Sequence, residues 1–219
     1  MACTPCRGPS RAPTTPGTRT TGRLARGLTL GLSLVLLGLV WSAADSLPAR
    51  ASVVLALSLE ELTRKAELIV LGVATEQQAR RHFDGKLIVT DISLRADDVL
   101  KGPAKRGQTV VATVLGGKLD GLALQVPGEA SLPLGQRLLV FLYRAPASGD
   151  LRVVGMSQGV IALSQQGNTT MVTPGGNGAA LVQPGNDGTL RDAPDALMQP
   201  QPLSALLDRI RGLVAAQGR

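Results

Sequence analysis

Residues 87–100, with the sequence LIVTDISLRADDVL, decide the fold class of this chain. Apolar or small side chains occupy alternate positions, namely Ile88, Thr90, Ile92, Leu94 and Ala96. The positions between them carry polar groups, namely Asp91, Ser93, Arg95 and Asp97. Because successive side chains of a β-strand point to opposite faces, this period of two predicts a long strand with one buried and one hydrated face.

Further short strands are predicted on both sides of this segment. Residues 68–74 (LIVLGVA) and 137–143 (RLLVFLY) are apolar at consecutive positions, which is typical of strands covered on both faces. The remaining strands are predicted at residues 109–115, 122–126, 151–156, 160–163 and 169–172. Glycine- and proline-containing turns separate them. This close spacing predicts a mainly β domain over residues 52–173, built as an antiparallel barrel or sandwich.

Two helices and a linker complete the predicted domain. Ser58 and Glu61 form a capping box that predicts a short helix ending near Ala66. Residues 174–201 contain nine glycines or prolines among 28 positions, which favours a flexible linker. Residues 202–219 form a predicted amphipathic C-terminal helix, because apolar side chains recur there at helical spacing. We expect this helix to dock on the barrel; the alternative is that it lies on a membrane or a partner.

The first 51 residues are predicted to be a secretory signal peptide. A basic, acid-free segment ends at Arg26, and an apolar run of 15 residues, 27–41, follows it. Small residues at Ala49 and Ala51 fit a signal peptidase site, so we expect cleavage after Ala51, with Ala44 as the alternative. A retained membrane anchor is the competing interpretation. Both interpretations place residues 52–219 outside the cytoplasm.

The charge and cysteine content agree with export. The whole chain has a formal net charge of +7, but six of its 23 basic residues and one of its 16 acidic residues lie within the first 51 positions. The remainder therefore carries 17 basic and 15 acidic residues and only three aromatic ones, Phe83, Phe141 and Tyr143. This composition disfavours a nucleic-acid partner, which would require cationic and stacking groups. Both cysteines, Cys3 and Cys6, lie in the predicted leader.

One motif suggests catalysis. Residues 155–159, GMSQG, match the G-x-S-x-G pattern that places a nucleophilic serine in hydrolases. The apolar stretch after Ser157 favours a strand rather than the required helix, and the only histidine, His82, precedes Ser157 in the chain. We therefore predict no catalytic residue and keep a Ser157 hydrolase as an alternative.

Other polar groups do not make a convincing site. His82 and Asp84 supply at most two metal ligands, so neither a metal nor a cofactor is predicted. Asp97 and Asp98 are neighbours on a strand and should point to opposite faces, so they cannot share a substrate unless a bulge intervenes. Asn168-Thr169-Thr170 is a glycosylation sequon, which matters only in a host that glycosylates.

The order of these features resembles a group of uncharacterised exported bacterial proteins. The resemblance covers about residues 58–164. It is carried mostly by turn and core positions, namely Gly72, Val73, Leu100, Lys101, Gly102, Gly116, Gly117, Gly135, Phe141, Leu142, Val154, Gly155, Gln158 and Gly159. It implies a small, partly open, OB-like β-barrel in the cell envelope, transfers no activity, and implies that Ser157 is incidental to a Gln-Gly turn.

These observations together favour a non-enzymatic, exported binding or interaction module. Its partner would be a protein or another envelope ligand of unknown identity, and a membrane only if the N-terminal segment is retained. The predicted contact surface is the hydrated face of the long strand, with the loops around Lys118 and Asp120. The alternatives are the Ser157 hydrolase and a membrane-anchored accessory subunit held by an uncleaved N-terminal helix.

Overall fold

The computed structural model describes residues 53–174, 180–193 and 199–218, so the predicted signal peptide over residues 1–51 lies outside the described residues. The N-terminal half forms β1 (Val53–Leu55), α1 (Leu59–Lys65), β2 (Leu68–Arg81), β3 (Ile88–Lys101), β4 (Thr109–Leu115), β5 (Gly117–Leu119) and β6 (Leu122–Leu124). The C-terminal half forms β7 (Arg137–Arg144), β8 (Leu151–Val153), a 3-10 turn (Met156–Gly159), β9 (Val160–Gln166), β10 (Thr169–Pro174), β11 (Ala180–Pro184), β12 (Leu190–Asp192), β13 (Gln201–Pro202) and α2 (Leu203–Gln217).

The largest sheet is antiparallel throughout and follows the order β13-β10-β9-β7-β2-β3-β4. One edge of β7 pairs with β2, while its other edge is shared between β8 and β9. The sheet curls until β4 and β8 lie next to each other, but these two strands are not paired and the described residues form no closed barrel. The prediction of a mainly β, antiparallel domain is confirmed.

The long hairpin of β2 and β3 bends through irregular pairing. Leu71 is opposite Asp98 and Gly72 is opposite Ala96, so Asp97 is an extra residue at a bulge. A Cβ atom at Gly72 would overlap the carbonyl oxygen of Arg95, which explains a glycine in a buried strand. Such bulges increase the local twist and allow the sheet to curl.

Both faces of the central strands are covered. On one face the curled sheet encloses Val70, Leu94, Val140 and other buried side chains. On the other face the two helices cover side chains that include Ile69 and Phe141. The consecutive apolar residues predicted for β2 and β7 therefore pack alternately into two separate cores.

The two predicted helices are confirmed, and α2 docks on the sheet. Ser58 Oγ accepts a hydrogen bond from Glu61 N–H at 3.2 Å, and Glu61 Oε2 accepts one from Ser58 N–H at 2.9 Å, which completes the capping box. The buried face of α2 consists of Leu203, Leu206 and Ile210. Arg209 also forms an ion pair with Glu60 of α1 at 2.7 Å.

Short strands occupy the segment that we predicted to be a flexible linker. Within residues 174–201, β11 pairs in parallel with β1 and antiparallel with β12, and β13 pairs with β10. Gly185 N–H donates to the Thr189 carbonyl at 2.7 Å, and Gly188 has a φ of 77°. These glycines form a hairpin turn between paired strands, so the linker prediction is wrong for this part of the segment.

Candidate functional site

The site begins with the polar second half of β2. We predicted that this strand would end at Ala74, but it continues to Arg81 because its polar residues pair with β3, from Glu76 opposite Ser93 to Arg81 opposite Ile88. Arg80 lies within this extension, opposite Val89. The extension places a cation on the same sheet as the predicted hydrated face of β3.

Arg80 connects three parts of the fold through charged hydrogen bonds. Its Nε donates to Asp91 Oδ2 on β3 at 2.6 Å, and its Nη2 donates to Asp91 Oδ1 at 3.0 Å. The same Nη2 donates to Asp150 Oδ1, in the turn before β8, at 3.1 Å. Thr113 of β4 adds a fourth bond by donating from Oγ1 to Asp91 Oδ1 at 2.7 Å. We call Arg80, Asp91, Thr113 and Asp150 the Arg80 network.

The Arg80 network lines a cleft of about 540 Å³ between β4 and the turn that precedes β8. The cleft is walled by polar groups and by side chains of the β4 edge, and its further lining includes Glu67, Gln108, Val111, Arg144 and Leu151. A second cleft of about 430 Å³, which shares Asp91 and Val111 with the first, extends over Glu76, Gln78 and Ser93. The lining of both clefts combines polar with apolar side chains, and we call the two clefts together the Asp91 surface.

The charges in the cleft are strongly paired. Hydrogen bonding to Asp91 raises the pKa of Arg80 above its ordinary value, with a further contribution from the charge of Asp150. The side chains of Arg80, Asp91 and Asp150 remain 37%, 26% and 21% exposed, so the ion pairs are half-buried and accessible to a ligand. Such an arrangement presents fixed hydrogen-bonding groups rather than an unpaired acid or base.

Another carboxyl group with a shifted pKa lies away from these clefts. Burial raises the pKa of Glu129, whose side chain is only 9% exposed. The Arg152 guanidinium, 3.5 Å away, and the Ala130 N–H act in the opposite direction but do not outweigh burial.

The structure brings together only some of the predicted contact residues. Asp91 and Ser93 both lie on the Asp91 surface. Arg95 is exposed further along β3, opposite Val73 and Thr109. Lys118 and Asp120 lie on a separate hairpin formed by β5 and β6.

Sequence reasoning missed three members of the Arg80 network. The sequence patterns above single out none of Arg80, Thr113 and Asp150. Residues 76–81 are a strand because they pair with β3, which the sequence of β2 alone does not show. No local signal points to Asp150, which is 70 positions from Arg80 in the chain.

Ser157 of the G-x-S-x-G pattern is buried. Ser157 as a whole is only 4% exposed, and its N–H donates a hydrogen bond to the Gly128 carbonyl at 3.1 Å. The segment is a 3-10 turn entered through Gly155 and Met156, both with positive φ, and it leads directly into β9 rather than into an α-helix. The neighbouring Gln158 is also buried and bonds to the backbone near β1.

The remaining polar candidates are separated from the Asp91 surface or from one another. His82 lies in the β2–β3 turn with Nδ1 3.1 Å from Asp84 Oδ1. Asp97, the extra residue at the bulge, pairs with Arg137 of β7, whereas Asp98 pairs with Arg211 of α2, so the two carboxylates have different partners. Asn168 of the sequon is exposed in the β9–β10 turn.

Three further findings concern similarity to known proteins, metal binding and membrane-spanning helices. No family model, no curated protein and no solved structure matches this chain. Among the residues that the structure describes, no group of three or more His, Cys, Asp or Glu side chains could hold a metal ion. None of the helices in this described part has the length and apolar character needed to cross a bilayer.

Proposed function

We propose that this chain is an exported, non-enzymatic binding module whose ligand contacts the Asp91 surface. The single observation that carries the proposal is the Arg80 network, in which one guanidinium joins two carboxylates in an open cleft. General acid–base catalysis uses groups with a protonation state that can change near the working pH. A paired Arg–Asp–Asp cluster instead holds donors and acceptors in fixed positions for recognition.

The lining of the cleft suggests the class of ligand. Two cations there, Arg80 and Arg144, face three carboxylates, Glu67, Asp91 and Asp150, and Glu76 adds a fourth carboxylate in the second cleft. The Asp91 surface therefore carries a small excess of negative charge, which would repel a strongly anionic ligand. The proposed ligand is therefore a neutral or weakly cationic polar group, such as a peptide segment of an envelope protein, which can exchange hydrogen bonds with both the arginines and the carboxylates.

The architecture and location remain part of the same proposal. The adjacency of β4 and β8 without pairing supports a partly open, OB-like barrel, and the sequence order supports the kinship with uncharacterised exported proteins. Export rests on the apolar run and the Ala49–Ala51 processing site. A mass measurement of the mature N-terminus, with cell fractionation, tests cleavage after Ala51 against a retained anchor.

The binding proposal can be tested by site-specific photocrosslinking in cells that export the full chain. A photoreactive residue at Val111, which is 46% exposed and lines both clefts, should form adducts. The same residue at Leu134, which is 48% exposed and lines neither cleft, is the matched control and should form none.

A pair of substitutions makes the crosslinking test specific. Arg80→Gln should abolish the Val111 adducts because the network loses its central donor. Arg81→Gln changes the adjacent arginine, which lies outside the clefts, and should leave the adducts unchanged. Identical adducts at positions 111 and 134, or adducts insensitive to Arg80→Gln, would show that the Asp91 surface is not the binding site. A parallel reaction with a fluorophosphonate probe should leave Ser157 unlabelled, and labelling would favour the hydrolase alternative.

A further inference from the structure

Two turns of the fold lie side by side at one end of the sheet. The β2–β3 turn spans residues 82–87, and the β5–β6 turn contains Asp120 and Gly121. Arg81 Nη2 lies 3.8 Å from Asp120 Oδ2, and β5 packs against both β2 and β3. We call residues 81–87 and 118–122 together the hairpin tip.

The hairpin tip exposes large apolar side chains. Phe83 is 64% exposed, Leu122 is 56% exposed and Leu87 is 39% exposed. Phe141, by contrast, is fully buried in the core. The Phe83 ring lies beside His82 of its own turn, with the two ring centroids 4.3 Å apart. Apolar groups exposed together on a folded protein usually mark a contact with a partner or a membrane.

The hairpin tip also exposes cationic side chains. Arg81, Lys86 and Lys118 are exposed within the hairpin tip. The two carboxylates there are held by local partners, because Asp84 accepts the Lys86 N–H at 3.0 Å and Asp120 lies near Arg81. Three cations against two carboxylates leave the tip with a net positive charge.

We infer that the hairpin tip inserts into the surface of an anionic lipid bilayer. Adjacent turns that expose both apolar and cationic side chains match a lipid interface, where the rings and aliphatic chains enter the headgroup boundary and the cations meet phosphates. A stable protein partner would instead require a broad complementary surface of about 800 Å² on each side. The Asp91 surface and its ligand are not part of this inference.

Local fluorescence on vesicles tests the inference with the full chain. Cys3→Ser and Cys6→Ser remove both native cysteines. A single new cysteine then carries an environment-sensitive fluorophore. It is introduced by Phe83→Cys in one variant and by Leu122→Cys, with Phe83 intact, in another. Leu190→Cys is the matched control, because Leu190 is 60% exposed on β12, outside the tip. The vesicles consist of phosphatidylcholine alone or of equal parts phosphatidylcholine and phosphatidylglycerol.

The expected result is position-specific immersion. Labels at positions 83 and 122 should shift to shorter emission wavelengths on the anionic vesicles and respond weakly to phosphatidylcholine, and the label at 190 should not shift. Lys86→Gln with Lys118→Gln should weaken the response roughly 30-fold, because each cation near an anionic surface contributes favourably to binding.

The position-specific readout keeps the test decisive even where the N-terminal apolar run itself attaches the chain to vesicles. Emission that is unchanged at position 83, emission that changes equally at positions 83 and 190, or a response that ignores the two lysine substitutions would each overturn the inference. Circular dichroism of every variant verifies that these exposed substitutions leave the fold intact.

Discussion

Gln158 holds the backbone of the segment around Leu57, about a hundred positions earlier in the chain. Its Oε1 accepts a hydrogen bond from Leu57 N–H at 2.8 Å, and its Nε2 donates to the Leu55 carbonyl at 3.0 Å. The side-chain amide thus pairs with an extended segment in the way that a neighbouring strand would. Gly155, whose φ of 64° favours glycine, begins the turn that carries Gln158. The Gln-Gly turn implied by the resemblance therefore has a structural role.

Gln158→Leu should destabilise the fold by about 1–3 kcal/mol, because it leaves two backbone groups without their hydrogen-bond partner. Equilibrium urea unfolding measures the loss. Gln166→Leu, at an exposed position of β9, is the control and should stay within about 0.5 kcal/mol of the parent. Equal effects of the two substitutions would contradict a structural role for the Gln158 amide.

A double-mutant cycle on Arg80→Met and Asp150→Ala should give a coupling free energy of about 1 kcal/mol. This value lies at the upper end for exposed ion pairs, since the pair is half-buried, and should fall as salt is added. Calorimetric thermal unfolding gives the unfolding free energies of the parent, the two single variants and the double variant, from which the coupling is calculated.

The exposed pair Arg191–Asp187 supplies the matched comparison for that cycle. Its atoms lie 3.0 Å apart, but its side chains are 62% and 53% exposed. We expect a coupling below about 0.5 kcal/mol there. Equal coupling free energies in the two pairs would mean that partial burial does not strengthen the Arg80–Asp150 ion pair.

Glu129→Gln should become relatively more stabilising as the pH rises. Burial raises the folded-state pKa of Glu129 above its ordinary value of 4.5, so the folded state favours the protonated form. The contribution is fully present below the unfolded pKa and is lost as the pH rises through the folded value. Urea unfolding of parent and variant between about pH 4 and about pH 7 measures this change. A stability difference that is flat, or that moves in favour of the parent, would refute the prediction.

Ile210→Ala should cost about 2–5 kcal/mol, because this side chain of α2 is fully buried against the sheet. Ser204→Ala, at an exposed position of the same helix, should cost less than about 0.5 kcal/mol. Thermal unfolding separates the two cases. A tolerated Ile210→Ala would argue that α2 is detached in solution and available for a membrane or another partner.

The sequence predicted those elements whose signals are local. The alternation over residues 87–100 identified β3, and the Ser58–Glu61 capping box identified α1 to within a residue. The linker prediction failed for part of residues 174–201, because glycine and proline are frequent both in flexible linkers and in the turns of short hairpins. The polar second half of β2 was also missed, since its strand character depends on pairing with β3.

The sequence by itself determined the antiparallel β class, the two helices and the two-sided burial of β2 and β7, because hydrophobic periodicity and end-capping act within a few residues. Only the tertiary structure decided that Arg80 meets Asp150, that Gln158 meets Leu57, and that two turns share one exposed tip. Those contacts join residues far apart in the chain, and their geometry depends on how bulges curl the sheet and how the helices cover it. A strand pattern specifies which face is buried, but not which distant polar group will lie opposite it.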